Sequence, residues 1–218
     1  MMKAKYDAVF FDFDGTIADT GVGIFNSVRF AVAAMGFDPL PEDRLRTFIG
    51  PPVFDSFKRE LDMTDEQSEK AVEKYRENYI RSGIYQLEMY PGIETLIKEL
   101  KKTGIKVAIA SSKPEKFVIK VIDYLKISHL IDFIAAPESD NAPEGKAVLV
   151  ERAVKHFGVK KSKALMIGDR YFDIDGANGA GVESIGVTFG YGSEEELRSA
   201  GATYLADSAD DIRKLIFS

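Results

Sequence analysis

The sequence predicts an α/β protein with a parallel sheet that is interrupted, near its beginning, by an all-helical insertion. Two observations predict this fold class. Short apolar runs alternate with helical patterns after Pro91-Gly92, which is typical of parallel strands joined by helices. Before that point, the stretch from Thr20 to about Tyr85 has apolar residues at helical spacing and no convincing strand. A chain of 218 residues is long enough for a domain that carries such an insertion.

The first predicted element is a strand at residues 6–11, an apolar and aromatic run that Asp12 follows directly. Continuous apolar runs of this kind are typical of strands buried on both faces of a parallel sheet. In the insertion, helical spacing is shown first by Ile24, Val28, Val32 and Met35, and later by Ala71, Val72, Tyr75 and Tyr79. Glycine and proline clusters at residues 36–41 and 50–52 separate the predicted helices.

The remainder of the chain alternates between helix and strand patterns. Strands are predicted at residues 105–110, 131–135, 164–167, 184–187 and near 204–205. Helices are predicted at residues 93–100, 117–125, 147–157, 174–180 and 212–216. Each predicted strand is a short apolar run, whereas the helices place apolar residues three and four positions apart. This alternation favours a parallel sheet with connecting helices.

Composition and charge exclude several classes of protein. The formal net charge is −6 and no basic block occurs, so we expect no nucleic-acid partner. The apolar runs are too short to span a bilayer, and the first residues lack the apolar stretch of a signal peptide. The chain has no cysteine, which excludes disulfides and thiolate metal sites. We therefore expect a cytoplasmic location and no membrane partner, and we favour a monomer.

Polar residues occur where several of the predicted strands end. They are Asp12 and Asp14 after the first strand, Ser111-Ser112-Lys113 after the strand at 105–110, Asp169 and Asp173 after the strand at 164–167, and Lys146 at the start of a later helix. Ligands of open parallel sheets bind at the carboxyl ends of the strands. We therefore expect these side chains to meet at one edge of the sheet.

The expected cluster has the chemistry of a metal and phosphate site. Its four carboxylates could not all stay ionised at close range without a cation. Oxygen ligands without histidine or cysteine suit a hard ion, and Mg²⁺ fits a site that is shared with phosphate. The Ser111 hydroxyl, the Lys146 ammonium and backbone N–H groups near Gly15 would bind phosphate oxygens. A carboxylate can also act as a nucleophile and form an aspartyl-phosphate.

These motifs resemble those of the haloacid dehalogenase superfamily phosphatases, and the resemblance covers the whole chain. It is carried by Asp12-Phe13-Asp14-Gly15-Thr16, then Ser111, then Lys146, then the run from Gly168 to Asp173. The resemblance implies a Rossmann-like, three-layer core at residues 1–18 and 87–218, with a helical cap at 19–86. The cap run Phe48-Ile49-Gly50-Pro51-Pro52 is similar to the phosphoglycolate phosphatase and 5′-nucleotidase-like group.

The resemblance also implies a role for each motif residue. Asp12 would attack phosphorus, and Asp14 would protonate the leaving group and later deprotonate the hydrolytic water. Mg²⁺ would be held by the Asp12 carboxylate, the Asp14 backbone carbonyl and Asp169. Asp173 would hold the waters of the metal or orient Lys146. The groups expected to bind the transferring phosphoryl group are Ser111, Ser112, Lys146 and the backbone at Gly15.

Comparison with the motifs of other members of the superfamily narrows the predicted reaction. Dehalogenases lack a second aspartate two residues after the first, so Asp14 favours phosphoryl transfer. Phosphonoacetaldehyde hydrolases use a lysine on the first cap helix, but no lysine occurs from Thr20 to Phe57. Sugar-phosphate mutases of similar build place a histidine in the cap, whereas both histidines here lie outside it. The remaining prediction is hydrolysis of phosphate monoesters.

The predicted partner is a small phosphorylated metabolite, with phosphoglycolate, a nucleoside monophosphate, pyrophosphate and a sugar phosphate all open. Arg46 in the cap is a candidate contact for an anion. The lysine motif departs from the frequent Gly-Lys-Pro, because it reads Gly145-Lys146-Ala147. The alternative class is a non-catalytic module that binds a phosphorylated metabolite. Such proteins usually lose the nucleophile or the acid, and both are present here.

Overall fold

The computed structural model describes residues 4–138 and 144–217. The chain divides into two compact units, one formed by Asp19–Glu88 and the other by the described residues on either side of it. Among the helices of the described residues, none combines the length and the apolar character that a membrane span requires.

The helices and strands follow the predicted alternation. The strands are β1 (Ala8–Phe11), β2 (Ala18–Asp19), β3 (Glu88–Met89), β4 (Lys106–Ala110), β5 (Phe133–Ala135), β6 (Ala164–Gly168), β7 (Glu183–Val187) and β8 (Tyr204–Ala206). The helices are α1 (Gly21–Ala34), α2 (Glu42–Arg46), α3 (Val53–Leu61), α4 (Asp65–Arg81), α5 (Ile93–Lys102), α6 (Glu115–Tyr124), α7 (Lys146–Phe157), α8 (Tyr171–Ala180), α9 (Glu194–Ser199) and α10 (Ala209–Ile216).

The main sheet of the described chain has the order β5-β4-β1-β6-β7-β8, and its neighbouring strands are parallel. β1 lies inside the sheet, where Phe10 is in register with Ala108 of β4 and Met166 of β6. Because these strands run in the same direction, the residues that follow β4, β1 and β6 come out side by side at one edge. The predicted α/β fold class with a parallel sheet is confirmed.

A buried apolar layer holds α7 and α8 against one face of this sheet. Phe10, Ala108 and Met166 supply its sheet side. The helical side consists of Leu149, Val150, Ala153 and Val154 of α7, with Ala177 and Ala180 of α8. Small residues on the strands and on α8 let the helices approach the sheet closely. α7 begins with Lys146 and the first turn of α8 contains Asp173, and both residues belong to the candidate site.

The unit formed by Asp19–Glu88 is helical, as its spacing of apolar residues predicts. α1 packs against α4, and α3 also contacts α4. The buried rings of Phe48 and Phe57 meet edge to face, with their centroids 5.0 Å apart. Phe54 on α3 is only half-buried, and the ammonium of Lys58 lies 5.7 Å from its ring centroid.

Some predicted boundaries shift, and two short strands were not predicted. β5 begins at Phe133 rather than Ile131, because a 3₁₀ turn at Ser128–Leu130 occupies the chain just before it. Asp132 instead accepts a hydrogen bond of 2.9 Å from the Val107 N–H. β2 and β3 pair with each other as a separate two-residue ribbon, which is too short to leave a pattern in the sequence.

Gly23 on α1 lies against the backbone at Gly83. A β-carbon at position 23 would come within 2.0 Å of the Gly83 carbonyl oxygen, which is backbone and cannot rotate away. We therefore predict that Gly23→Ala destabilises the protein by about 1–3 kcal/mol, because overpacking outweighs the gain in helix propensity. Chemical unfolding of the purified variant and of the unsubstituted protein measures the difference.

The matched control is Val22→Ala on the same helix, because Val22 is 60% exposed. This change should leave the free energy of unfolding almost unaltered. Equal stability of Gly23→Ala and the unsubstituted protein would contradict the close approach of the two backbone segments.

Candidate active site

The first component of the site is the turn that follows β1. The Asp12 N–H still donates to the Ile167 carbonyl at 2.8 Å, so Asp12 is held at the end of the central strand. The chain then turns tightly, with the Phe13 carbonyl accepting from the N–H groups of Ile17 and Ala18 at 3.0 and 3.1 Å. Gly15 has φ +87°, and a β-carbon there would lie 2.2 Å from an Asp169 carboxylate oxygen. Only glycine allows the turn to lie this close to Asp169.

The second component follows β6, which is next to β1 in the sheet. Asp169 is fully buried and accepts a hydrogen bond from the Tyr191 N–H at 2.8 Å. The Thr16 hydroxyl donates to its other oxygen at 3.3 Å. Asp173, in the first turn of α8, accepts from the Arg170 N–H at 3.1 Å and so caps the helix. Both carboxylates are therefore held by main-chain donors.

The loop after β7 closes one side of Asp169. Gly190 lies so near that a β-carbon would be 2.4 Å from the Asp169 β-carbon and from the Gly15 carbonyl oxygen. A β-carbon at Gly192 would lie 2.0 Å from the Asp169 backbone carbonyl oxygen. Sequence reasoning missed this loop. The run Gly190-Tyr191-Gly192 could have indicated it, because closely spaced glycines often mark places where two backbone segments lie against each other.

Lys146 joins the two acidic components. It is the first residue of α7, and its ammonium nitrogen lies 2.9 Å from Asp12 Oδ1 and 2.7 Å from Asp173 Oδ1. The nitrogen also donates to the Ala110 carbonyl at the end of β4, at 3.0 Å. The side chain is buried, and the absence of a side chain at Gly176 leaves space for its methylene stem. Lys146 thus contacts Asp12, the candidate nucleophile, although alanine replaces the proline that frequently follows this lysine.

Burial and like charges dominate the electrostatics of the site. Burial raises the pKa of Asp12 to about 6 even though Lys146 acts to lower it, and the charges of Asp173 and Asp14 raise it further. Burial, followed by the charges of Asp173 and Asp12, raises the pKa of Asp169 well above its ordinary value. Burial alone would lower the pKa of Lys146, but Asp12 and Asp173 raise it above its ordinary value.

The carboxylates have the geometry of a cation site. Asp12, Asp169 and Asp173 each offer an oxygen, and these oxygens lie within 4.8 Å of one another. One lysine cannot neutralise three buried carboxylates, and the pKa values of Asp12 and Asp169 are raised first by burial and then by the neighbouring negative charges. A donor set of oxygen atoms alone suits a hard divalent cation. The residues that are present therefore fit a divalent metal.

Asp14 differs from the expectation that four carboxylates would converge. Both of its carboxylate oxygens lie 2.9 Å from the ammonium nitrogen of Lys113, so the side chain is held in a separate ion pair. The cation cluster consists of the other three aspartates, and Asp173 has an oxygen in it as well as a contact with Lys146. Lys113 was visible in the motif after β4, but sequence reasoning gave it no role.

Ser111 and Ser112 follow β4, at the same sheet edge as Asp12. Ser111 is buried, and its N–H donates to the Ala135 carbonyl at 3.1 Å. Its hydroxyl oxygen accepts from the Lys113 N–H at 3.4 Å. Ser112 is half-buried. The placement of both residues suits a phosphate-binding loop, and their contact with phosphate stays a prediction.

Arg46 lies in the helical unit, at the end of α2. Its guanidinium forms an ion pair with Glu42 at 3.2 Å, one helical turn away, and both side chains are more than half exposed. The predicted contact between Arg46 and an anion stays a prediction.

Comparison with known proteins gives the family. The sequence model of the haloacid dehalogenase-like hydrolases matches residues 9–187, which include all the acidic residues of the site. The chain belongs to the haloacid dehalogenase-like hydrolase family. A solved structure of a predicted phosphatase from Clostridium acetobutylicum matches with a TM-score of 0.91 and 34% identity, over 97% of this chain and 98% of that one.

Relatives with named activities are similar over nearly the whole chain. A 5′-nucleotidase of Pseudomonas aeruginosa is 35% identical over 94% of this chain and 93% of its own length. A phosphoglycolate phosphatase of Vibrio parahaemolyticus is 29% identical, with 99% and 98% covered. The tyrosine-protein kinase PtkA of Mycobacterium tuberculosis is 30% identical over 95% of this chain and 72% of its own length. The predicted family and the predicted class of enzyme, a phosphatase of this family, are confirmed.

The excess negative charge leads to a prediction about cation binding and pH. The folded-state pKa of Asp12, about 6, lies above its ordinary value of 3.8, so the metal-free protein should lose stability as the pH rises between these values. A cation competes with these protons, so Mg²⁺ should raise the melting temperature more at about pH 7.5 than at about pH 5. Differential scanning fluorimetry with and without Mg²⁺ measures both effects.

The variant Asp169→Asn tests the same electrostatic explanation. Its amide can still accept from Tyr191 and donate to Thr16, but it removes one buried charge. We expect higher stability than the unsubstituted protein without metal, and little or no stabilisation by Mg²⁺. Asp175→Asn, which changes an exposed carboxylate of α8, should retain the response to Mg²⁺. An unchanged response in Asp169→Asn would contradict the proposed cation site.

Proposed function

We propose that this protein is a Mg²⁺-dependent phosphatase that hydrolyses small phosphate monoesters through an aspartyl-phosphate on Asp12. The observation that carries the proposal is the position of the Asp12 carboxylate. It lies at the end of the central strand, 2.9 Å from the Lys146 ammonium and within a cluster of oxygens suited to a cation. A carboxylate in these surroundings can approach a phosphate dianion, because cationic partners offset the repulsion between the two anions.

In the first half of the reaction, a carboxylate oxygen of Asp12 forms a bond to phosphorus while the ester P–O bond breaks. The electron pair of that bond goes to the leaving oxygen, which takes a proton from Asp14. Lys146, Ser111, Ser112 and the backbone at Gly15 bind the phosphoryl oxygens during the transfer. In the second half, Asp14 takes a proton from water as the water oxygen attacks, and inorganic phosphate leaves Asp12.

The metal would be held by the Asp12 carboxylate, the Asp14 backbone carbonyl and Asp169, with Asp173 close enough to bind the metal or its waters. When bound, Mg²⁺ would neutralise negative charge on the carboxylates and on the phosphoryl group. Asp173 also holds Lys146, at 2.7 Å, so that the ammonium stays directed at Asp12. This ion pair gives Asp173 a second role beside capping α8.

For the substrate we infer a small phosphorylated metabolite, in the manner of a phosphoglycolate phosphatase. The Vibrio parahaemolyticus relative with that name supports this proposal. Activity on 5′-nucleotides is the second candidate, which the more similar Pseudomonas aeruginosa 5′-nucleotidase favours. Pyrophosphate hydrolysis at the same site is a further alternative. We assign selection among these compounds to a cap at residues 19–86, with Arg46 as the candidate anion contact.

Asp12→Asn tests the proposed nucleophile. An amide is a poor nucleophile, so we expect the turnover of p-nitrophenyl phosphate to fall by about 10³-fold or more. The control Asp175→Asn makes the same change on an exposed carboxylate and should leave the rate unchanged. Wild-type turnover by well-folded Asp12→Asn would contradict the assignment.

A panel of metabolites tests the proposed substrate class. We expect kcat/KM for phosphoglycolate to exceed that for each nucleoside monophosphate, pyrophosphate and sugar phosphate by about tenfold or more. Release of inorganic phosphate, measured with and without Mg²⁺, gives these values. A preference for nucleoside monophosphates would establish the second candidate instead. Binding without turnover of every ester in the panel would favour a non-catalytic module.

A further inference from the structure

Lys113 and Asp14 form a second buried ion pair at the sheet edge. The Lys113 nitrogen lies 2.9 Å from each oxygen of the Asp14 carboxylate, so the contact is bidentate. The two side chains are only 6% and 13% exposed. Lys113 also lies over the Phe13 ring, at 6.0 Å from its centroid, and its N–H donates to the Ser111 hydroxyl oxygen. The ammonium of Lys113 thus contacts two residues that follow β1, while its main chain is bonded to Ser111 after β4.

Two lysines divide the four acidic residues of the site into two groups. Lys146 contacts Asp12 and Asp173, which belong to the cation cluster. Lys113 contacts Asp14, whose carboxylate lies outside that cluster. Asp14 is only two residues from Asp12, and a divalent cation would attract a mobile carboxylate at this distance. A carboxylate that bound the cation would no longer be available to the leaving group.

We propose that Lys113 is a positioning residue that holds the Asp14 carboxylate away from the cation cluster and directed toward the leaving-group oxygen. The proposal rests on the proposed function, because it assumes that Asp14 exchanges protons with the leaving group and with water. Lys113 acts through Asp14 in this scheme and does not itself transfer a proton. The Lys113 nitrogen is equidistant from both carboxylate oxygens, so the buried ammonium keeps the Asp14 carboxylate facing it.

The experiment compares two substrates whose leaving groups differ in their need for a proton. p-Nitrophenolate departs without a proton, whereas the alkoxide from phosphoglycolate needs one from Asp14 as the P–O bond breaks. The ratio kcat/KM includes the steps up to departure of the leaving group and excludes the later attack of water. We expect Lys113→Met to lower kcat/KM for phosphoglycolate by about 10²-fold, with a change of less than about threefold for p-nitrophenyl phosphate. Equal losses for both esters, or no loss for either, would overturn the proposal.

A double-mutant cycle tests whether Lys113 acts through Asp14. With phosphoglycolate, Lys113→Met should have almost no further effect in an Asp14→Asn background, because the group that it positions is gone. Losses that multiply would overturn the proposal. The matched control is Lys120→Met, which removes an exposed ammonium from α6 and should leave both kcat/KM values unchanged. If Lys113→Met does not fold, Lys113→Gln keeps a polar donor without the charge and replaces it.

A readout without turnover separates this proposal from the proposed function. Absence of turnover of every ester by the unsubstituted protein would overturn the proposed function and the proton exchange by Asp14, but not the claim that Lys113 fixes the position of the Asp14 carboxylate. Crystal structures of Lys113→Met and of the unsubstituted protein with Mg²⁺ then compare the position of the Asp14 carboxylate. We expect the carboxylate to turn toward the three-aspartate cluster in the variant. An unmoved carboxylate would overturn the role of Lys113.

Discussion

The repulsion among Asp12, Asp169 and Asp173 is the constraint on which the site depends. These carboxylates are buried within reach of one another, where water cannot screen their charges. Each is therefore held by a specific partner: Asp12 by Lys146, Asp169 by the Tyr191 N–H and the Thr16 hydroxyl, and Asp173 by Lys146 and the Arg170 N–H. Even so, the pKa values of Asp12 and Asp169 are raised. The protein thus holds its acidic residues in an arrangement that a divalent cation or a proton stabilises.

The parallel sheet makes this arrangement possible with few residues. Because β1 lies between β4 and β6, three strand ends meet at one edge, and each supplies part of the site. Glycines allow the close approach that follows. A β-carbon at Gly15 or Gly190 would overlap Asp169, and one at Gly168 would lie 2.3 Å from atoms of Asp173. The tight packing of these turns holds the carboxylates in place despite their repulsion.

The extent to which the sequence predicts the site follows from the same physics. Asp12, Ser111 and Asp169 were predictable because they directly follow apolar runs, and a parallel sheet brings such positions to one edge. Lys146 was predictable because it is the first residue of a helix whose apolar face is evident. The ion pair between Lys113 and Asp14 was not predictable from the sequence. These residues are 99 positions apart, and their contact depends on the rotamers that the packed fold allows.

The Tyr191 N–H was missed for a related reason. A main-chain donor carries no residue-type signal, and the loop after β7 has no periodic pattern.

The end of β4 has a larger part in the site than its motif suggests. The carbonyl of its last residue, Ala110, accepts a hydrogen bond from the Lys146 ammonium. This strand therefore helps to position the ammonium that contacts Asp12. The next residue, Ser111, is the candidate phosphate ligand, and two positions later Lys113 binds Asp14. One short stretch of backbone therefore helps to position the two lysines that contact Asp12 and Asp14. Because β4 and β1 are in register, a shift of this stretch would alter both ion pairs together. Asp12 and Asp14 thus contact two different lysines, and the end of β4 takes part in both arrangements.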